Sequence, residues 1–180
     1  PDVTDLNEIL LSSAVKVLHL DGLHLMPAIT AAKIARSLKV VTVLDAGTMR
    51  PGLERLLPLI DHLVVSENFA RQIFGRHDPQ ATLRFLAGYG AANVTITCGE
   101  SGSVSIDNTG SVFQQQAFEM DVVDTTGCGD NFAGGVLASI AGQLADGKVN
   151  SIDLLDAVAW GAASGGFARF SVGGLYREKE

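Results

Sequence analysis

Apolar residues recur along this chain with two alternating periods. Val15-Lys-Val-Leu-His-Leu20 and Val40-Val-Thr-Val-Leu44 are short aliphatic runs of strand character, and between them Ala31, Ile34, Ala35 and Leu38 share one face of a helix over 27–38. Strand, helix, strand in this order is a βαβ unit, which calls for a parallel sheet with helices on its faces. His62-Leu-Val-Val65 is a third strand. Ser66 then caps a helix carrying Phe69, Ile73 and Phe74 that Gly75 stops, and a further amphipathic helix over 78–89 carries Leu83, Phe85 and Leu86. Residues 93–99 and 103–106 read as a hairpin around Glu100-Ser-Gly102, followed by a turn at 107–110 and a strand-like stretch over 112–118. Phe132, Val136, Leu137 and Ile140 have the spacing of a buried helix, residues 142–150 read as a polar loop, and residues 152–170 as a long Ala- and Gly-rich helix. Ahead of all this, Ile9, Leu10 and Leu11 suggest a short helix.

Composition narrows the class. A chain of 180 residues that is 47% hydrophobic and 18% charged has the apolar content for one substantial core, and a net charge of −7 without a Lys/Arg run argues against nucleic acid or an anionic membrane as partner. Cys98 and Cys128 are too few for a disulfide framework, and no apolar run is long enough to span a membrane, so the cytoplasm is the expected compartment. His19 and His24 have no companion at metal-ligand spacing and read as packing or loop residues.

The chemistry concentrates in Asp124-Thr-Thr-Gly-Cys-Gly-Asp-Asn-Phe-Ala-Gly-Gly135, which leads from Val122-Val123 into the helix of Phe132. The first amides of a helix have no partner within it, the macrodipole adds partial positive charge, and Gly127 and Gly129 let a ligand approach the backbone. That is a socket for an anion. Asp130 is a carboxylate that phosphate binding alone does not need; beside a transferring phosphoryl group it can take the proton of an attacking hydroxyl. The string does not continue as a dinucleotide fingerprint, because Phe132 occupies the third glycine position.

This stretch resembles the signature of the ribokinase-like, or PfkB, carbohydrate kinases. The resemblance implies a three-layer αβα fold with a mostly parallel, doubly wound sheet, of which residues 1–180 are the C-terminal, nucleotide-binding portion of a single kinase domain; the N-terminal part and the lid lie outside this chain, which begins at Pro1. By the same resemblance Asp130 is the catalytic base and the amides of Gly127, Cys128 and Gly129 form the anion hole, with Cys128 in place of the commoner Ala or Gly. Asp124 and Thr126 match positions that hold a monovalent cation, potassium being the expected ion. Thr97, Gly99 and Gly102, with Glu100 between them, are similar to the turn that lies along the ribose and phosphates of ATP. On the last helix, Ala162, Ala163, Gly166 and Gly173 match the wall of the adenine pocket, Ala162 replacing a usual Asn.

Two family segments are altered. The Asn-x-x-Glu segment linked to magnesium reads Ser66 to Phe69, leaving Glu67 either in the Mg²⁺ environment or as a first-turn charge on its helix. Asp45 to Arg50 is similar to an Asp-x-Asn-x-Arg segment but has Gly47 where Asn is usual, and a solvated loop with a local Asp/Arg pair accounts for it equally. The implied activity is ATP- and Mg²⁺-dependent phosphorylation of a sugar hydroxyl, with homodimerisation of the full-length protein a further expectation. Two alternatives stay open: a nucleoside or vitamin kinase of the same superfamily, and a nucleotide-binding module without chemistry.

Overall fold

The computed structural model describes residues 4–12, 15–119, 122–148 and 152–170. Among these, six strands form one sheet whose spatial order is the chain order: β1 (Val17–Leu20), β2 (Val41–Ala46), β3 (His62–Ser66), β4 (Asn93–Thr97), β5 (Ser103–Ile106) and β6 (Val112–Gln115). The helices are α1 (Thr4–Ser12), α2 (Leu25–Ser37), α3 (Glu67–Phe74), α4 (Pro79–Ala87), α5 (Cys128–Ala145) and α6 (Leu154–Ala168). The chain divides into two compact units, Pro1–Ile96 with Ser105–Val112, and Thr97–Val104 with Phe113–Glu180.

In the first unit β1, β2 and β3 pair in parallel, Val17 opposite Val41 and Val43 opposite His62. A strand covered on both faces cannot alternate, and the continuous apolar runs Val43-Leu44 and Leu63-Val64-Val65 are accordingly buried. Helix α2 buries Ala28, Ile29, Ala31, Ala32 and Ala35, small residues that admit close packing, while Leu10 of α1 packs with Ala35 and Val40. Between β2 and β3 the chain makes two 3₁₀ turns, Leu53–Arg55 and Leu57–Leu59, which bury Leu53, Leu56, Leu57 and Ile60. The α3 signals hold in detail: Ser66 Oγ accepts the Phe69 N–H at 3.0 Å, and Gly75 ends the helix at φ 73°. Asp78 Oδ1 caps α4 by accepting the Ala81 N–H at 2.9 Å.

His62, at the start of β3, is 4% exposed, and its Nδ1 accepts a hydrogen bond from Asn93 Nδ2 at 3.0 Å. The direction follows from Asn93 Oδ1, which accepts the Asn108 N–H and so fixes the amide with its nitrogen toward the ring. Burial lowers the imidazole pKa from 6.5 to about 4, partly offset by the Asp61 charge. The unfolded chain therefore binds this proton more tightly than the folded one. Stability is full above the unfolded pKa and falls as pH drops toward the folded one, by an expected ~3 kcal/mol in all. Urea unfolding of wild type and His62→Gln from pH 7 to 4.5 checks this; identical pH slopes would remove His62 as the cause.

In the second unit α5 and α6 approach at backbone distance through glycines. A Cβ on Gly135 would lie 2.5 Å from Trp160 O, and one on Gly161 would lie 2.8 Å from Val136 Cγ2. The small residues of the last helix therefore pack against its neighbour. Helix α5 runs to Ala145, four residues into the stretch that its polar composition marks as loop. Gln143 is the reason: its Nε2 donates to Asp153 O at 3.0 Å and its Oε1 accepts the Asp153 N–H at 2.6 Å, tying the end of α5 to the cap of α6. Ser139 adds a hydrogen bond from its hydroxyl to Asp156 Oδ2 at 2.6 Å.

Candidate active site

The start of α5 is built by its own loop. Gly127 occupies the N-cap at φ 78°, a left-handed conformation in which a side chain would be strained, and turns the chain abruptly into the helix. Upstream, Asp124 Oδ1 accepts the Thr126 N–H at 2.9 Å; downstream, Gly127 O accepts both the Asn131 N–H and Asn131 Nδ2, each at 2.9 Å. The turn is thus held from both sides. The Cys128 N–H donates to Thr125 O at 3.2 Å, so the amides of Gly129 and Asp130 are the first-turn donors without an acceptor inside the helix. Of the anion-hole set, Gly127 is the cap, Cys128 shares its amide with the turn, and Gly129 presents its own. Asp130, one residue further on, is exposed.

Beside this helix start lies a cavity of about 120 Å³, contained in the second unit. The hairpin turn contributes Thr97, Gly99 and Gly102, α5 contributes Cys128, Gly129 and Phe132, α6 contributes Ala162, Gly165 and Gly166, and its C-cap contributes Arg169. Two sequence-distant motifs, the glycine turn and the helix start, therefore share one cavity. Its remaining wall is Ser103, Ala117 and Phe118, which no sequence signal singles out. Phe118 and Arg169 carry no motif, and Ser103 had only its place after Gly102 to mark it.

Other candidate residues stand elsewhere. Glu100 lies in the 3₁₀ turn Gly99–Ser101 and is exposed, and Ala163 is beside the cavity-lining Ala162 without lining the cavity itself. Gly173 lies outside the described residues. Asp124 and Thr126 are in the loop leading into α5, where the Asp124 carboxylate already serves as a turn acceptor. Glu67 belongs to the first unit; it opens α3, and its Oε1 is 3.3 Å from His77 Nδ1. Near the end of β2, Gly47 O accepts the Ser66 hydroxyl at 2.6 Å, so a backbone carbonyl takes a bond at the position where Asn is usual. Cys98 and Cys128 form no disulfide, and among the described residues no group of three or more His, Cys, Asp or Glu side chains could hold a metal ion. No helix among them is long and apolar enough to cross a membrane.

A six-stranded sheet flanked by helices, with a glycine hairpin turn and an anion-ready helix start on one cavity, is a three-layer α/β architecture with a candidate phosphate-binding corner. The chain belongs to the pfkB family of carbohydrate kinases, which matches residues 5–178. It is similar to a 2-dehydro-3-deoxygalactonokinase of Haloferax volcanii, 34% identical over 129 residues that make up 70% of this chain and 37% of that protein. A cytidine kinase of Thermococcus kodakarensis is 36% identical over 87 residues, 48% of this chain and 31% of the relative. The fold is that of the ribokinase from Giardia lamblia, with a TM-score of 0.82 at 17% identity over 96% of this chain and 59% of the other. The chain thus spans less than two thirds of the length of each of these proteins.

Proposed function

We propose that this chain carries the nucleotide site and the catalytic base of a cytoplasmic, ATP-dependent kinase whose acceptor is a sugar hydroxyl. The carrying observation is the cavity bounded by both the glycine turn, Thr97 to Gly102, and the helix start at Cys128 and Gly129, with Asp130 in the same first turn. The amides of Gly129 and Asp130, with Cys128 at the edge of the turn, receive the charge that develops on the transferring phosphoryl group. The Asp130 carboxylate takes the acceptor hydroxyl proton as the oxygen bonds to the γ-phosphorus; the bond from that phosphorus to the bridging oxygen breaks, and ADP leaves. Thr97, Gly99, Glu100 and Gly102 border the ribose and phosphates, and Ala163 and Gly166 belong to the helix backing the base.

Magnesium would arrive on the phosphates, since Mg²⁺ favours one or two carboxylates plus phosphate oxygens over an all-protein cage and no such cage exists among the described residues. It would supply charge neutralisation there. Asp124 and Thr126 would border a bound potassium ion. The sugar acceptor is supported by the family and by the likeness to a 2-dehydro-3-deoxygalactonokinase. The 36% likeness to a cytidine kinase supports a nucleoside acceptor as the second reading.

The test is ADP release by the full-length protein with ATP, Mg²⁺ and a panel of hexoses, pentoses, deoxy sugar acids and nucleosides. Stimulation by a sugar is the expected result. Stimulation by nucleosides alone would transfer the assignment to the second reading, and ADP binding with no turnover on any acceptor would reduce the chain to a binding module.

A further inference from the structure

Ser103 opens β5 directly after Gly102 and lines the cavity, although the residue is only 1% exposed. Its Oγ is the single buried side-chain nitrogen or oxygen among the described residues with no hydrogen-bond partner. Buried hydroxyls are rarely left this way, because the desolvation penalty goes uncompensated. The next residue on the same face of the strand shows the ordinary solution: Ser105 Oγ lies 2.9 Å from Thr95 Oγ1. The hydroxyl at 103 is therefore unmatched within the protein, on a residue that lines the cavity.

We infer that the Ser103 hydroxyl is a hydrogen-bonding contact for the edge of the nucleobase, an inference that rests on the nucleotide reading of this cavity. Phosphate is the wrong partner. One neutral hydroxyl at almost full burial, on a cavity whose lining includes Ala117, Phe118, Phe132 and Ala162, cannot compensate a desolvated charge, whereas the helix start can. A flat heteroaromatic ring suits those apolar walls with its faces, and its ring nitrogens and exocyclic groups then need a polar partner at the edge. Ala162, Gly165 and Gly166 on the α6 wall carry no polar side chain, and Arg169, which follows α6 and also lines the cavity, is a donor only. A hydroxyl both donates and accepts, so Ser103 can serve either a ring nitrogen or an amino group. Its role is to position the base, and through it the phosphates against α5.

Calorimetric titration of full-length wild type and Ser103→Ala with ADP, adenosine, 2′-deoxyadenosine and inorganic tripolyphosphate tests this. The expected result is a loss of about fivefold in affinity for the three base-containing ligands, the worth of one net hydrogen bond, with tripolyphosphate unchanged. The ligand-free variant should melt at the same temperature as wild type or higher, since it loses only an unpartnered hydroxyl. Equal ADP affinity, a loss shared by tripolyphosphate, or a marked fall in ligand-free melting temperature would each overturn the assignment. A loss that disappears with 2′-deoxyadenosine would move the contact to the sugar and also overturn it. If wild type binds none of the four ligands, the nucleotide reading fails and this inference with it, a result distinct from all the others.

Discussion

Asp130→Asn should lower turnover by ~100-fold or more while leaving ADP affinity within about threefold of wild type. The two effects separate because the residue's carboxylate and backbone do different things. The amide at 130 stays in place after the substitution, and with Gly129 it is one of the two first-turn donors free for an anion. Asparagine has nearly the same shape and removes a negative charge beside the phosphates, so nucleotide binding has no reason to weaken. What disappears is the proton acceptor. The fold should hardly register the change, because an exposed acidic residue in a first helical turn contributes only about 0.3–1 kcal/mol through the macrodipole. The check is kcat on the best acceptor alongside a direct ADP titration. A turnover within about threefold of wild type would strike Asp130 from the mechanism.

The fold was legible wherever one local rule decided an element. Ser66 and Gly75 bound α3 as a cap and a left-handed stop, and the aliphatic runs at 41–46 and 62–66 are strands because both their faces are covered. It was illegible where tertiary contact overrides local character. The segment 53–60, with its two 3₁₀ turns, buries four large aliphatic residues without either regular period, and Gln143 looks like a loop residue until Asp153 arrives to satisfy its amide. The candidate site divides in the same way. Asp124 to Gly135 is contiguous and declares a helix start by itself, and the hairpin turn is marked by its glycines. Ser103, Phe118 and Arg169 become neighbours of that helix only because β5, the segment after β6 and the end of α6 converge on one cavity. An unpartnered hydroxyl has no signature in sequence, since pairing is a property of the folded surroundings.

Within the hairpin turn itself, two glycines should behave very differently. Gly99 has φ 58° and an added Cβ would meet nothing within 4 Å, so Gly99→Ala incurs only the left-handed backbone penalty, roughly 1–2 kcal/mol. Gly102 sits at φ 83° and ψ −128°, a region open in practice to glycine alone. Its Cβ would also lie 2.0 Å from Gln115 O, 2.7 Å from Ala117 N and 2.9 Å from Gln116 C. These are backbone atoms of the segment following β6, so no side chain can swing away to relieve the overlap. Either the turn or residues 115–117 must move, and Ala117 forms part of the cavity wall. Gly102→Ala should therefore cost about 3 kcal/mol or more, from strain and displaced backbone together, and should weaken ADP binding at temperatures where the variant is still folded. Urea unfolding of the two variants side by side, with ADP titration of each, measures both effects. Equal destabilisation by the two alanines would mean that the close approach of Gly102 to 115–117 carries no energetic weight and that backbone conformation alone selects glycine in this turn.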